Sequence, residues 1–135
     1  MSERRLVDTN LIVRHLTQDQ PALAEIASRL FDASDRGHLT LVVLPAVLAE
    51  CVFVLESFYK HPRTKIASAL SMLISSSGVE IDQLTMHRDA LERYAQSKLH
   101  FVDCTIAAAA AAENIPVASF DAGLKKMLGV RVSLD

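Results

Sequence analysis

The sequence predicts an α/β fold, an α/β/α sandwich around a central parallel sheet of four to five strands, and three observations lead there. Short β-branched or leucine-rich runs alternate with longer segments of helical periodicity along the 135 residues. Strands separated by helices pair in parallel through right-handed crossovers, which leaves both faces of the sheet covered by helices. No internal repeat, low-complexity linker or shift of composition interrupts the chain, and half of it is hydrophobic. That is enough for one core and too little for two, so a single domain over residues 1–135 is expected.

The elements follow in order. Arg4 to Asp8 reads as a strand and passes into a short helix near Leu11 to Leu16. Asp19-Gln20-Pro21, a helix-start signal with proline just inside, opens a helix toward Asp35 that Gly37 ends. Leu39 to Leu44 is a strand, and Pro45 starts an apolar helix reaching Phe58. After the break at His61-Pro62 a helix runs from Arg63 to about Ser75, then a short strand Val79 to Ile81, then a helix from Thr85 to Leu99. Asp103 to Asn114 is alanine-rich helix, Ile115 to Phe120 a strand, Asp121 to Leu128 a helix, and Val130 to Leu134 alternates like a terminal strand.

Composition removes several functional classes. No apolar run reaches the roughly 20 residues of a membrane span, and Met1-Ser2-Glu3-Arg4-Arg5 leads into a strand rather than a signal segment, so a cytoplasmic protein with no membrane partner is expected. Cys51 and Cys104 lie in apolar helical contexts without metal spacing and read as small core residues, not a disulfide. His15, His38, His61, His87 and His100 share no ligand spacing and read as surface or turn residues, which disfavours zinc. The formal charge of −2 provides no global field for nucleic acid. Arg14, His15, Lys60, Arg63, Lys65, Lys98, Lys125 and Lys126 offer either a basic rim for an RNA backbone or ordinary solvated surface. Arg88 with Glu92, and Asp89 with Arg93, are four-apart pairs on an exposed helix face.

Four acids stand out against this background. Asp8 closes Arg4-Arg5-Leu6-Val7, Glu50 is the single charge within Leu41 to Leu55, Asp103 heads the alanine run and Asp121 closes Val117-Ala118-Ser119-Phe120. The helix around Glu50 is apolar on every face, which predicts a buried carboxylate in need of a cation. In open parallel sheets ligands collect beyond the carboxyl ends of the strands, where all four acids map. Two carboxylates about 5 Å apart repel by about 3 kcal/mol at an effective dielectric of about 20, so a shared pocket needs protons or cations. An all-oxygen site suits Mg²⁺ or Mn²⁺, ions that activate water and shield a phosphodiester during in-line attack. Against this, Asp8, Asp103 and Asp121 each fit a helix N-cap, whereas Glu50 lies too far inside its helix to cap it. Asn10 and Ser119 fit local turn or capping roles as well as a site.

Leu6-Val7-Asp8-Thr9-Asn10, Pro45-Ala46-Val47-Leu48-Ala49-Glu50, Phe101-Val102-Asp103-Cys104-Thr105-Ile106-Ala107-Ala108 and Ser119-Phe120-Asp121 together resemble the PIN-domain ribonucleases, particularly the VapC-like toxins of bacterial toxin–antitoxin pairs. The likeness extends over the whole chain. It implies a metal-dependent endoribonuclease in which Asp8, Glu50, Asp103 and Asp121 are catalytic and hold one or two Mg²⁺ or Mn²⁺ ions, with Thr9, Asn10 and Ser119 in support. It also implies an RNA substrate, a small antitoxin that occupies the active-site groove, and a homodimer. Gly123, just after the fourth acid, departs from the expected helix former and leaves the rigidity of the last helix open.

Two other functions compete. A receiver-like signalling domain would hold Mg²⁺ in an acidic pocket and accept phosphate on aspartate, but it wants paired acids after the first strand, where this chain has Asp8-Thr9-Asn10. A PIN-like scaffold would bind RNA or a partner without cutting. Phe53, Phe58 and Tyr59 are candidates for an antitoxin or dimer surface, with core packing the better expectation for Phe53.

Overall fold

A computed structural model of the chain describes residues 3–135. The chain divides into two compact units, the first running to Leu84 and the second spanning Thr85–Asp135. The first holds β1 (Glu3–Leu6), α1 (Thr9–Thr17), α2 (Pro21–Asp35), β2 (Leu39–Val42), α3 (Pro45–Ser57), α4 (Arg63–Ser75) and β3 (Val79–Glu80). The second holds α5 (Leu84–Ala95), α6 (Phe101–Glu113) and α7 (Ala122–Lys125), α5 beginning at the boundary.

The predicted parallel α/β architecture is present: β1, β2 and β3 form one parallel sheet in that order, with Leu6 opposite Val42 and Val42 opposite Glu80. The central strand β2 alternates buried Leu39 and Leu41 with half-buried Thr40 and Val42, the period-two pattern of a strand between two neighbours. Arg4 crosses from β1 to grip the Glu80 carboxylate of β3 with two nitrogens, at 2.6 and 3.2 Å. Helix α2 packs on β2, α4 on β3, and α1 lies against both α2 and α3. Ile12, Leu41, Leu48, Leu55, Ile66, Leu70 and Ile74 fill the core between them.

Three hydrogen-bonded strands are seen among the described residues where four to five were expected. Segments 115–120 and 130–134, in the second unit, meet at one isolated parallel bridge between Val117 and Val132. The contact consists of Val117 N–H donating to Arg131 O at 2.8 Å and Ser133 N–H donating to Val117 O at 2.9 Å. Around that bridge Ala107, Ala110, Val117 and Leu124 form a small core.

Helix α2 starts at Pro21 as the Asp19-Gln20-Pro21 signal predicts, with Gln20 at the N-cap position. Several local expectations need correction. The last helix covers only Ala122–Lys125, with Lys126 as its C-cap, and Gly129 takes φ +79° in the turn that follows. His87 is buried rather than at the surface. Arg93, expected on an exposed face, is mostly buried: it pairs with Asp89 at 2.9 Å and donates to Leu128 O at 2.7 Å, tying α5 to the C-terminal segment. Cys51 and Cys104 are buried and free, as expected of core thiols. No helix among the described residues is long and apolar enough to cross a membrane.

Two substitutions test the packing of the first unit. A Cβ at Gly78 would stand 2.2 Å from Ser34 O, so Gly78→Ala is expected to lower stability to urea by about 3 kcal/mol or more. At Gly37, where φ is +80° and nothing lies within 4 Å, Gly37→Ala meets only backbone strain and is expected to cost about 1 kcal/mol.

A pH series tests His15, which stacks on Phe31 at 4.3 Å with Ser28 Oγ 3.0 Å from its Nδ1. Burial holds its imidazole below the ordinary 6.5, against the opposing pull of Asp32 and Asp35. The unfolded chain therefore protonates first as pH falls, so this contribution is complete above about 6.5 and is lost as pH drops through the folded value. His15→Phe, which keeps the stack, is expected to show a shallower fall in melting temperature than the parent chain between about pH 7 and about pH 5.

Candidate active site

The first unit brings Asp8 and Glu50 to one pocket. β1 ends at Leu6, Val7 N–H donates to Val42 O at 3.1 Å, and the chain turns at Asp8, which is the N-cap of α1. Its Oδ1 accepts from Leu11 N–H at 2.9 Å, so the capping role is real, and it leaves Oδ2 outside that bond. The next residue, Thr9, donates its hydroxyl to Glu50 Oε1 on α3. Asp8, Thr9, Asn10, Val13, Arg14, Glu50, Val54, Phe58 and Tyr59 line a cavity of about 450 Å³.

Glu50 is exposed, not buried as its apolar surroundings suggested. Helix α3 turns Leu48, Cys51, Val52 and Leu55 inward, and Ala46, Glu50, Phe53 and Ser57 form its outer face. A helix packed against α1 and α4 buries the stripe that meets them whatever its remaining composition, and Phe53 on the outer stripe is 67% exposed for the same reason. Glu50 thus reaches the pocket without the full desolvation that a core carboxylate suffers.

Behind the pair sits Cys51. Burial first, then the negative charges of Glu50 and Asp8, push its thiol up to about 12, which keeps it protonated at physiological pH. The pocket therefore presents carboxylate and hydroxyl oxygens and no thiolate, a donor set that fits a hard divalent cation such as Mg²⁺ or Mn²⁺.

The pocket wall carries a network that the sequence did not disclose. Tyr59, just past α3, donates its hydroxyl to Asp19 Oδ2 at 2.7 Å and accepts from Arg14 Nη1 at 2.7 Å. Asp19 also accepts from Thr17 Oγ1 at 2.9 Å and from Arg14 at 3.1 Å. The Tyr59 hydroxyl foremost, then Thr17 and Arg14, hold the Asp19 carboxyl below its usual range. These residues join the end of α1 to the end of α3 across 40 positions of sequence, a link no local pattern carries.

The second unit holds the other two acids, both half-buried. Asp103 lies in the first turn of α6, where its charge favours the helix dipole, and His100 takes the N-cap position. Asp121 caps α7, with Oδ1 accepting from Gly123 N–H at 2.7 Å, and its own N–H donates to Ser119 Oγ at 2.9 Å. A Cβ at Gly123 would fall 2.6 Å from Leu99 Cδ2 and 3.1 Å from Asp121 Oδ1, so any other residue there displaces the Leu99 side chain. Within neither unit do three or more His, Cys, Asp or Glu side chains among the described residues group as a metal cluster.

The capping geometry sets an expected outcome. Asp8→Asn keeps an acceptor for Leu11 N–H and removes a charge beside Glu50, so it is expected to melt at or above the parent chain in chelator. Asp8→Ala, without the cap, is expected to lose about 1 kcal/mol; calorimetry of both variants separates the two effects.

Comparison with known proteins adds to this geometry. A protein named VapC ribonuclease from Aquifex aeolicus (strain VF5) is 25% identical over 124 residues, which span 91% of this chain and 91% of that one. No solved structure matches. The family model of the PIN domain matches residues 5–129, a span that takes in the strand before Asp8, the helix bearing Glu50 and both acids of the second unit, and the chain belongs to the PIN domain family.

Proposed function

We propose that the protein is a metal-dependent endoribonuclease, the toxin of a toxin–antitoxin pair, which hydrolyses RNA phosphodiester bonds to leave 5′-phosphate and 3′-hydroxyl ends. The observation that carries this reading is the placement of Asp8 and Glu50 on one open pocket, linked through the Thr9 hydroxyl, in a PIN domain chain similar to a protein named as a ribonuclease. With the family known, the receiver-like alternative is set aside.

In this proposal Asp8 and Glu50 hold Mg²⁺ or Mn²⁺, one or two ions, which supply charge neutralisation at the phosphate and acidify a water. Asp103 and Asp121 enter through their place in the motif order along the chain, as further acids of the same chemistry. Thr9 engages one oxygen of Glu50 and Leu11 N–H one oxygen of Asp8, which leaves Glu50 Oε2 and Asp8 Oδ2 outside those bonds in two residues that line the same cavity. Asn10 adds an amide at the rim, and Ser119 steadies the backbone of Asp121. The partners are RNA, a small antitoxin protein and a second copy of the chain in a homodimer; the protein acts in the cytoplasm.

The test is cleavage of single-stranded RNA. Asp8→Asn, Glu50→Gln and Asp103→Asn are each expected to reduce Mg²⁺-dependent cleavage by about a hundredfold or more, with melting temperatures that show an intact fold. Chelator is expected to stop the parent enzyme, and Mg²⁺ or Mn²⁺ to restore it. Cleavage that persists in chelator and in all three variants would overturn the proposal.

A further inference from the structure

Phe58 is 83% exposed and caps the C-terminal end of α3. Its N–H donates to Val54 O at 2.9 Å and closes α3, and Tyr59 N–H reaches the same carbonyl at 3.3 Å. Lys60 then adopts φ 57°, and His61 N–H returns to Leu55 O at 3.1 Å, a left-handed helix stop made without glycine. The Tyr59 hydroxyl is clamped between Arg14 and Asp19. A phenyl ring is thus presented to solvent from a hydrogen-bonded helix end, with the Tyr59 ring 6.3 Å off at 49°.

The ring lines the same cavity as Asp8, Thr9, Asn10 and Glu50. Beside it in the lining stand Val13, Val54 and Tyr59, buried or half-buried, and the remaining lining side chains, Asp8, Thr9, Asn10, Arg14 and Glu50, are polar. Phe53, the other exposed aromatic of α3, is five positions back and so about 140° round the helix axis. The two rings therefore make no continuous stripe of the kind an amphipathic partner helix needs. A single exposed π-face in a cavity that also carries the oxygens of Asp8, Thr9 and Glu50, with the exposed Lys60 two positions on in sequence, matches a nucleotide: base on the ring, phosphate toward the cation.

Resting on the nuclease reading above, we propose that Phe58 is the stacking platform for one nucleobase of single-stranded RNA, and that the Arg14–Tyr59–Asp19 clamp holds that platform beside the acids. Stacking recognises a π-face and not a base edge, so this subsite gives affinity and register with little sequence preference.

The sequence contains no tryptophan, so Phe58→Trp creates a protein with one indole reporter. Oligoadenylate added with Mg²⁺ is expected to quench that fluorescence, in the Asp8→Asn background as well, where turnover does not interfere. Phe58→Ala, at an exposed site, is expected to leave the melting temperature unchanged, raise KM for single-stranded RNA about tenfold and leave kcat within about twofold. Phe58→Trp is expected to keep the parent KM. RNA cleaved by Phe58→Ala with the parent KM, together with an unquenched indole, would overturn the stacking role while the nuclease reading stands. Loss of a protein partner from Phe58→Ala, with RNA affinity unchanged, would overturn it equally and make the ring a protein contact. A parent chain that neither binds nor cuts RNA removes both proposals.

Discussion

The hydroxyl of Thr9, donated to Glu50, joins two helices whose natural tendency is to keep their charges apart. Asp8 and Glu50 are both acidic, and a neutral donor placed between their helices orients one carboxylate without cancelling either charge. The rest of the first unit is arranged around that bond. β1 and β2 run parallel, so the chain leaves both at the same edge, and α1 and α3 start there. At the far ends of those helices the Arg14–Tyr59–Asp19 contacts hold them a second time. Two fixed points leave little freedom for the helices to swing, and electronegative oxygens remain facing a common space.

The pair is also shaped by what lies behind it. Cys51 is packed against the acids, and its raised proton affinity means that no negative sulfur adds to the charge already present. A larger hydroxylic or acidic residue at that place would compete for the Thr9 donor or bring a further charge. An apolar, protonated backing lets Asp8 and Glu50 stay at the surface, where water and ions reach them.

Much of this was legible in the residues because it rests on local signals. Pro21 and Pro45 mark helix starts that the structure keeps, and Asp8 and Asp121 mark the N-caps of α1 and α7. The alternation of strands and helices gave the parallel sheet. Misreadings arose where the deciding contact is distant. Composition alone placed Glu50 and Phe53 in the interior, because hydropathy counts residues and does not know how wide a stripe the neighbouring helices cover. Gly123 looked like a weakness in a helix, and it is instead the residue that lets Leu99 come close. Arg93 looked solvated because its partner is a main-chain carbonyl near the C-terminus, invisible to charge patterning.

The parallel register carries a consequence for biosynthesis. β1 is made first, but its hydrogen-bonding partners are Leu39–Val42, beyond two whole helices, and β2 in turn waits for Val79–Glu80. A nascent chain that has emerged only as far as α2 can form helices and no ladder, so Asp8 has nothing opposite it until much later in translation. Juxtaposition of Asp8 and Glu50 therefore waits until β2 and α3 have left the ribosome.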